Sequence, residues 1–106
     1  NGLKVPVSGQ DASVAGLQNV LLGKQTGTVY KQVSLEAKAA SDLAISLLKG
    51  DKPSANKTLY GKPFQAVTPV SVGPKDVETV VNNGDAKASD ICTADVAAAC
   101  ATYGVK

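Results

Sequence analysis

Two charged residues, Asp11 and Lys31, and two cysteines, Cys92 and Cys100, carry most of the chemistry this sequence could perform. A carboxylate accepts hydrogen bonds and an ammonium donates them. The absences are as informative. There is no His, so no Ser-His-Asp or Cys-His catalytic group can be assembled, and the commonest zinc sites lose their imidazole. Two cysteines alone cannot close a structural zinc site, and a redox pair would prefer the Cys-x-x-Cys spacing, which is missing. No metal or cofactor site is expected.

Charge and hydropathy remove further classes. Eleven Lys against nine Asp plus Glu give +2 with no basic run and no Arg, so a nucleic-acid partner is not expected. No segment reaches the length of apolar chain that a membrane helix requires. The sequence has no Met, and Asn1-Gly2-Leu3-Lys4 lacks the features of a signal peptide, which reads as a chain processed or cut from something longer.

The elements that must position these residues alternate. Lys4 to Ser8 is short and β-branched, reads as a buried strand, and runs into Gly9. Ser13 is a good N-cap for a helix carrying Val14, Leu17 and Leu21, which Gly23 ends. Gly27 to Tyr30 is a second strand. Ser34 then caps the clearest helix, with Leu35, Ala39, Leu43 and Leu47 on one stripe, Glu36 near its positive end and Lys49 near its negative end; Gly50 and Pro53 stop it. Asp51 to Lys62 reads as a polar surface connection, and Phe64 to Val72 as an edge or crossing strand around Pro69. Pro74 opens a short helix that Asn82-Asn83-Gly84 closes, and a last helix is expected from Thr93 to Ala101. The whole is an α/β pattern with a mainly parallel sheet flanked by helices.

In such sheets ligands bind beyond the carboxyl ends of strands, which selects the loop Gly9-Gln10-Asp11-Ala12. By local pattern alone Asp11 reads as a turn or cap residue for the helix that follows, and Lys31 as a solvated strand-end lysine. Gln10 faces away from Asp11 by strand alternation, and Tyr30, Tyr60 and Phe64 read as packing residues.

A resemblance sharpens the choice. Lys4-Val5-Pro6-Val7-Ser8-Gly9-Gln10-Asp11-Ala12, with Ala15-Gly16-Leu17, Gly23, Gln25-Thr26 and Thr28-Val29-Tyr30-Lys31, resembles the last third of a periplasmic-type sugar-binding protein of the ribose/xylose group, nearest to its D-xylose-binding members. The likeness continues through Ala39-Ala40, Leu47, Lys49 to Pro53 and Val67-Thr68-Pro69-Val70, and loosens after Val72. It implies a non-enzymatic solute receptor for an ABC importer, exported to the periplasm or held at the outer face of the cell membrane, whose two α/β lobes close on a monosaccharide. It implies ligand contacts at Asp11 and Lys31, and that residues 4–30 and 31–72 contribute to different lobes with 73–106 as a helical tail.

Full receptors of this type are much longer, so the resemblance also implies partners: the membrane permease, and either the missing N-terminal portion or a second copy to bury exposed edges. A truncated interaction fragment without ligand binding of its own is the alternative, and a small α/β enzyme a weaker one. Cys92 and Cys100 in one continuous helix would stand about 12 Å apart along its axis. That is too far for a disulfide, so a bridge requires Cys92 to precede the helix and fold back; two buried thiols are the other possibility. Asn56-Lys57-Thr58 is a glycosylation sequon that matters only in a source that glycosylates.

Overall fold

The computed structural model describes Gly2 and residues 5–52 and 54–106. Lys4, where the opening strand is expected to begin, and Pro53, expected to help stop the long helix, lie outside the described residues. The chain forms two compact units, Asn1–Lys31 with Pro69–Lys106, and Gln32–Thr68.

In the first unit, helix α1 (Val14–Leu21) starts where extended Ser13 accepts a hydrogen bond from the Gly16 N–H at 3.2 Å. It ends as the sequence indicates. Gly23 takes φ +68°, its N–H donates to Val20 O (3.1 Å), and the Lys24 N–H reaches Asn19 O (2.9 Å), which satisfies carbonyls that a helix end otherwise leaves free. Strand β1 (Thr28–Tyr30) pairs antiparallel with a later strand, β4 (Val70–Val72), in the register Thr28↔Val72, Val29↔Ser71, Tyr30↔Val70. On its other side β1 meets the opening segment in parallel. Ser8 bridges Gly27, flanked by Thr26 N–H to Val7 O (2.7 Å), Gly9 N–H to Gly27 O (2.9 Å) and Asp11 N–H to Val29 O (2.8 Å). The opening segment is thus bonded as a strand would be, but it is not buried: Val5 is 68% and Val7 50% exposed.

After β4 the Asp76 carboxylate accepts from the Gly73 N–H at 2.9 Å, and Pro74–Asp76 makes a 3-10 turn into α3 (Val77–Asn82). The single last helix expected from Thr93 is instead two, α4 (Ala88–Ile91) and α5 (Ala97–Tyr103). Thr93 O accepts from the N–H groups of Val96 (2.8 Å) and Ala97 (2.9 Å), so it makes a turn rather than a side-chain cap. That turn folds Cys92 back to a Cα separation of 5.9 Å from Cys100, and the two are disulfide-bonded. Leu17, Val20, Val72, Val77, Val80 and Ile91 are fully buried, so residues from α3 and α4 share one core with α1 and β4. Gln18 Nε2 donates to the carbonyls of Ile91 (3.0 Å) and Asp90 (3.2 Å), tying α1 to the end of α4.

The second unit contains α2 (Val33–Leu48) and a hairpin of β2 (Lys57–Leu59) and β3 (Lys62–Phe64). Helix α2 begins after Gln32 and has no side-chain cap, so Ser34 lies inside it rather than capping it. At its end Gly50 takes φ +80°, with Gly50 N–H on Leu47 O and Asp51 N–H on Ser46 O, both at 3.0 Å. The stretch expected as an irregular connection holds the hairpin, turned by Tyr60 (φ +48°) and Gly61 (φ +72°), the twist that two-residue loops between antiparallel strands prefer. The Asn56 amide extends the pairing by bonding both backbone groups of Ala66, at 2.9 and 3.0 Å. The continuous strand expected from Phe64 to Val72 is two strands separated by residues 65–69. No α2 side chain is buried: Leu35 is 46%, Leu47 54% and Leu48 88% exposed.

Candidate functional site

Asp11 and Lys31 meet at the end of β1. Lys31 is the residue immediately after that strand, and Asp11 follows the segment bonded alongside it, so both project from the same edge; Lys31 Nζ lies 2.5 Å from Asp11 Oδ1. The helix-cap role that local pattern allows for Asp11 belongs to Ser13. The side chains are 64% (Asp11) and 39% (Lys31) exposed, a setting in which an ion pair adds only about 0–1 kcal/mol. Stability is therefore a weak reason for this pair. It leaves a carboxylate with free acceptor positions beside an ammonium with free donors, both open to solvent.

The carboxylate is held by an unusual backbone. Asp11 (φ +76°) and Ala12 (φ +46°) are consecutive non-glycine residues in the left-handed region, where each L-residue costs about 1–2 kcal/mol and Asp is tolerated better than Ala. The turn is pinned by Asp11 N–H on Val29 O and by Ala12 N–H on Thr28 Oγ1 at 3.3 Å. Thr28 is 2% exposed. Sequence reasoning passes over Thr28, because its partner lies sixteen residues away and a strand threonine signals only β propensity.

Neighbouring residues divide clearly. Gln10 is exposed. Tyr30, next to Lys31, is buried and its hydroxyl donates to Asp85. Burial first, then the Asp85 hydrogen bond and charge, push its phenol above the ordinary value, with the Asn83 side chain acting in the opposite sense. Tyr60, expected to pack, stands 94% exposed at the hairpin tip, and Phe64 is 41% exposed. A groove of about 270 Å³ on the first unit is lined by Ser8, Gly9, Thr26–Val29 and Ser71–Gly73 and holds no charged side chain. Among the described residues no group of three or more Cys, Asp or Glu could hold a metal ion, and no helix is long and apolar enough to cross a membrane.

No protein-family model matches the chain. It is 38% identical over 93 residues to the D-xylose-binding periplasmic protein of Escherichia coli, covering 83% of this chain and 28% of that protein. It is 36% identical over 86 residues to the D-xylose-binding periplasmic protein of Haemophilus influenzae, covering 76% of this chain and 26% of that one. The chain thus spans little more than a quarter of the length of the curated relatives it matches. A carbohydrate transporter solute-binding protein of Chloroflexus aurantiacus, solved with D-glucose, superposes with a TM-score of 0.69 at 32% identity, over 80% of this chain and 26% of the other. An ABC transporter solute-binding protein of Clostridium phytofermentans, solved with β-D-glucose, superposes with a TM-score of 0.72 over 81% of this chain and 29% of the other; at 22% identity it speaks for the α/β fold alone. The relatives are binding proteins of transport systems, not enzymes.

Proposed function

We propose that this chain, which over about 80% of its residues is similar to periplasmic D-xylose-binding proteins, forms part of a solute receptor that binds a monosaccharide such as xylose between two lobes. Asp11 accepts from neighbouring sugar hydroxyls and Lys31 donates to a hydroxyl or ring oxygen. The receptor delivers its ligand to an ABC permease and works outside the cytoplasm, in the periplasm or at the outer face of the cell membrane. Residues 4–30 and 31–72 contribute to different lobes and 73–106 form a helical tail; the passage of the chain out of its first unit after Lys31 supports a break there, whereas Pro69–Lys106 lie in the first unit.

The observation that carries the reading is the convergence of Asp11 and Lys31 at 2.5 Å on one strand end, open to solvent. In the open state each charge satisfies the other. When a cleft closes and water leaves, a sugar that reaches both replaces the lost hydration, whereas a ligand lacking the matching hydroxyl leaves a buried donor or acceptor without its hydrogen bond at about 1–3 kcal/mol, or five- to 150-fold in affinity. Calorimetric titration with D-xylose, D-glucose and D-ribose tests this on the longest native polypeptide that carries these residues. One of the three should bind, and Asp11→Asn and Lys31→Gln should each weaken it by at least about fivefold. Full affinity in the double variant refutes the site, and absence of binding by all three sugars refutes the receptor.

A second reading is favoured by α2, none of whose side chains is buried. The 106-residue chain by itself is then an interaction fragment that needs the remainder of a receptor to cover that helix. Sugar binding by this chain alone would exclude it.

A further inference from the structure

We infer that Thr28 is the positioning residue of the Asp11–Lys31 site: its buried hydroxyl holds the left-handed turn that points the Asp11 carboxylate at Lys31. Asp11 and Ala12 both have positive φ, and Ala12 has no polar side chain with which to stabilise that backbone. Such a conformation persists only where its surroundings fix it. One fixing bond, Asp11 N–H to Val29 O at 2.8 Å, is backbone and independent of side-chain identity. The other is a single side chain. Thr28 Oγ1 accepts from the Ala12 N–H at 3.3 Å, in surroundings where Thr28 is 2% and Ala12 7% exposed, so water has little room to replace the hydroxyl. Thr28 and Lys31 also belong to one continuous stretch of chain, β1 and the residue after it. That stretch therefore holds the carboxylate's backbone at one point and presents the cation at another, and the ion pair follows from its geometry.

The role in sugar binding rests on the receptor reading, but the positioning is measurable without a ligand. In the native chain, the Asp11 carboxyl 13C and Lys31 ammonium 15N resonances report the pairing, and Lys31→Gln supplies the carboxyl shift of an unpaired Asp11. Thr28→Val, which keeps the shape and removes the hydroxyl, should move the Asp11 resonance toward that unpaired value. Thr28→Ser, which restores the hydroxyl, should return it. Should Thr28→Val fail to fold, Thr28→Ala is read in the same way. An Asp11 resonance unchanged in the variant without a hydroxyl, or displaced equally in Thr28→Ser, overturns the inference.

Titration with D-xylose and D-glucose forms a separate arm on the longest native polypeptide. Loss of at least about fivefold in affinity in Thr28→Val, recovered in Thr28→Ser, is expected. If neither sugar binds the unaltered protein while the resonances behave as stated, the receptor reading fails and the positioning stands. If a sugar binds and Thr28→Val keeps its full affinity, the positioning fails as a determinant of binding.

Discussion

Opening the Cys92–Cys100 bond should unfold the first unit far more readily, and the size of the effect follows from the length of the loop it closes. The cysteines are eight positions apart, so the bond closes a loop of about nine residues, and the chain-entropy relation gives about 2.6 kcal/mol at 25 °C. Native helix and core contacts restrain this loop already: the Cys92 N–H donates to Ala88 O at 2.7 Å, and Ile91 and Val96, on either side of Cys92, are 0% and 3% exposed. Reduction therefore acts chiefly on the unfolded chain, whose freedom it restores. Urea unfolding followed by circular dichroism, with and without a phosphine reductant, should show a difference of about 2–3 kcal/mol and a fall in Tm of roughly 10–20 °C. Cys92→Ala with Cys100→Ala should lose slightly more, because Cys100 is 3% exposed and its sulfur fills core volume. A difference below about 1 kcal/mol with an unchanged denaturant slope would refute the loop-entropy argument, and two free thiols in the oxidised sample by mass spectrometry would refute the bond.

Other perturbations have equally definite expectations. Leu17→Ala, at a fully buried position, should cost about 2–5 kcal/mol, whereas Leu48→Ala, at 88% exposure, should stay within about 0.5 kcal/mol by the same urea assay. A Cβ at Gly9 would come within 2.0 Å of Gln25 Nε2, which donates to Gly27 O at 3.2 Å, so Gly9→Ala must swing that amide away. The cost, about 0.5–1.5 kcal/mol, should largely vanish in a Gln25→Ala background, as a double-mutant cycle would show. Tyr30 has its folded pKa raised above its ordinary 10.0, first by burial and then by Asp85. Its contribution to stability is complete below pH 10 and is lost as pH rises through the folded value, so the urea midpoint should fall on the alkaline side and Tyr30→Phe should flatten that limb. Amide exchange in α2, which buries none of its side chains, should be less protected than in α1, which buries Leu17, Val20 and Leu21.

The sequence by itself determined what depends on near neighbours. Ser13 and Gly23 bound α1 because a hydroxyl reaches the start of its own helix and glycine takes the left-handed closing turn, and Gly50 and Gly104 act in the same way. The apolar stripe of α2 and the β-branched run of β1 have periods visible in a few residues, and the motif around Asp11 and Lys31 singled them out. Only the tertiary structure decided the rest. It set whether a stripe is covered, and α2 shows that a correct helical period does not itself bring a surface to bury against. It split the tail into α4 and α5 and so brought Cys92 to Cys100, where a continuous helix would have held them apart. It turned a polar connection into a hairpin through a left-handed Tyr60, a residue type that gives no warning of positive φ. Above all it set Thr28 under Ala12 and Asp11 beside Lys31. Those contacts join residues far apart in sequence, and their geometry is fixed by the pairing of strands, which no local pattern of residue types contains.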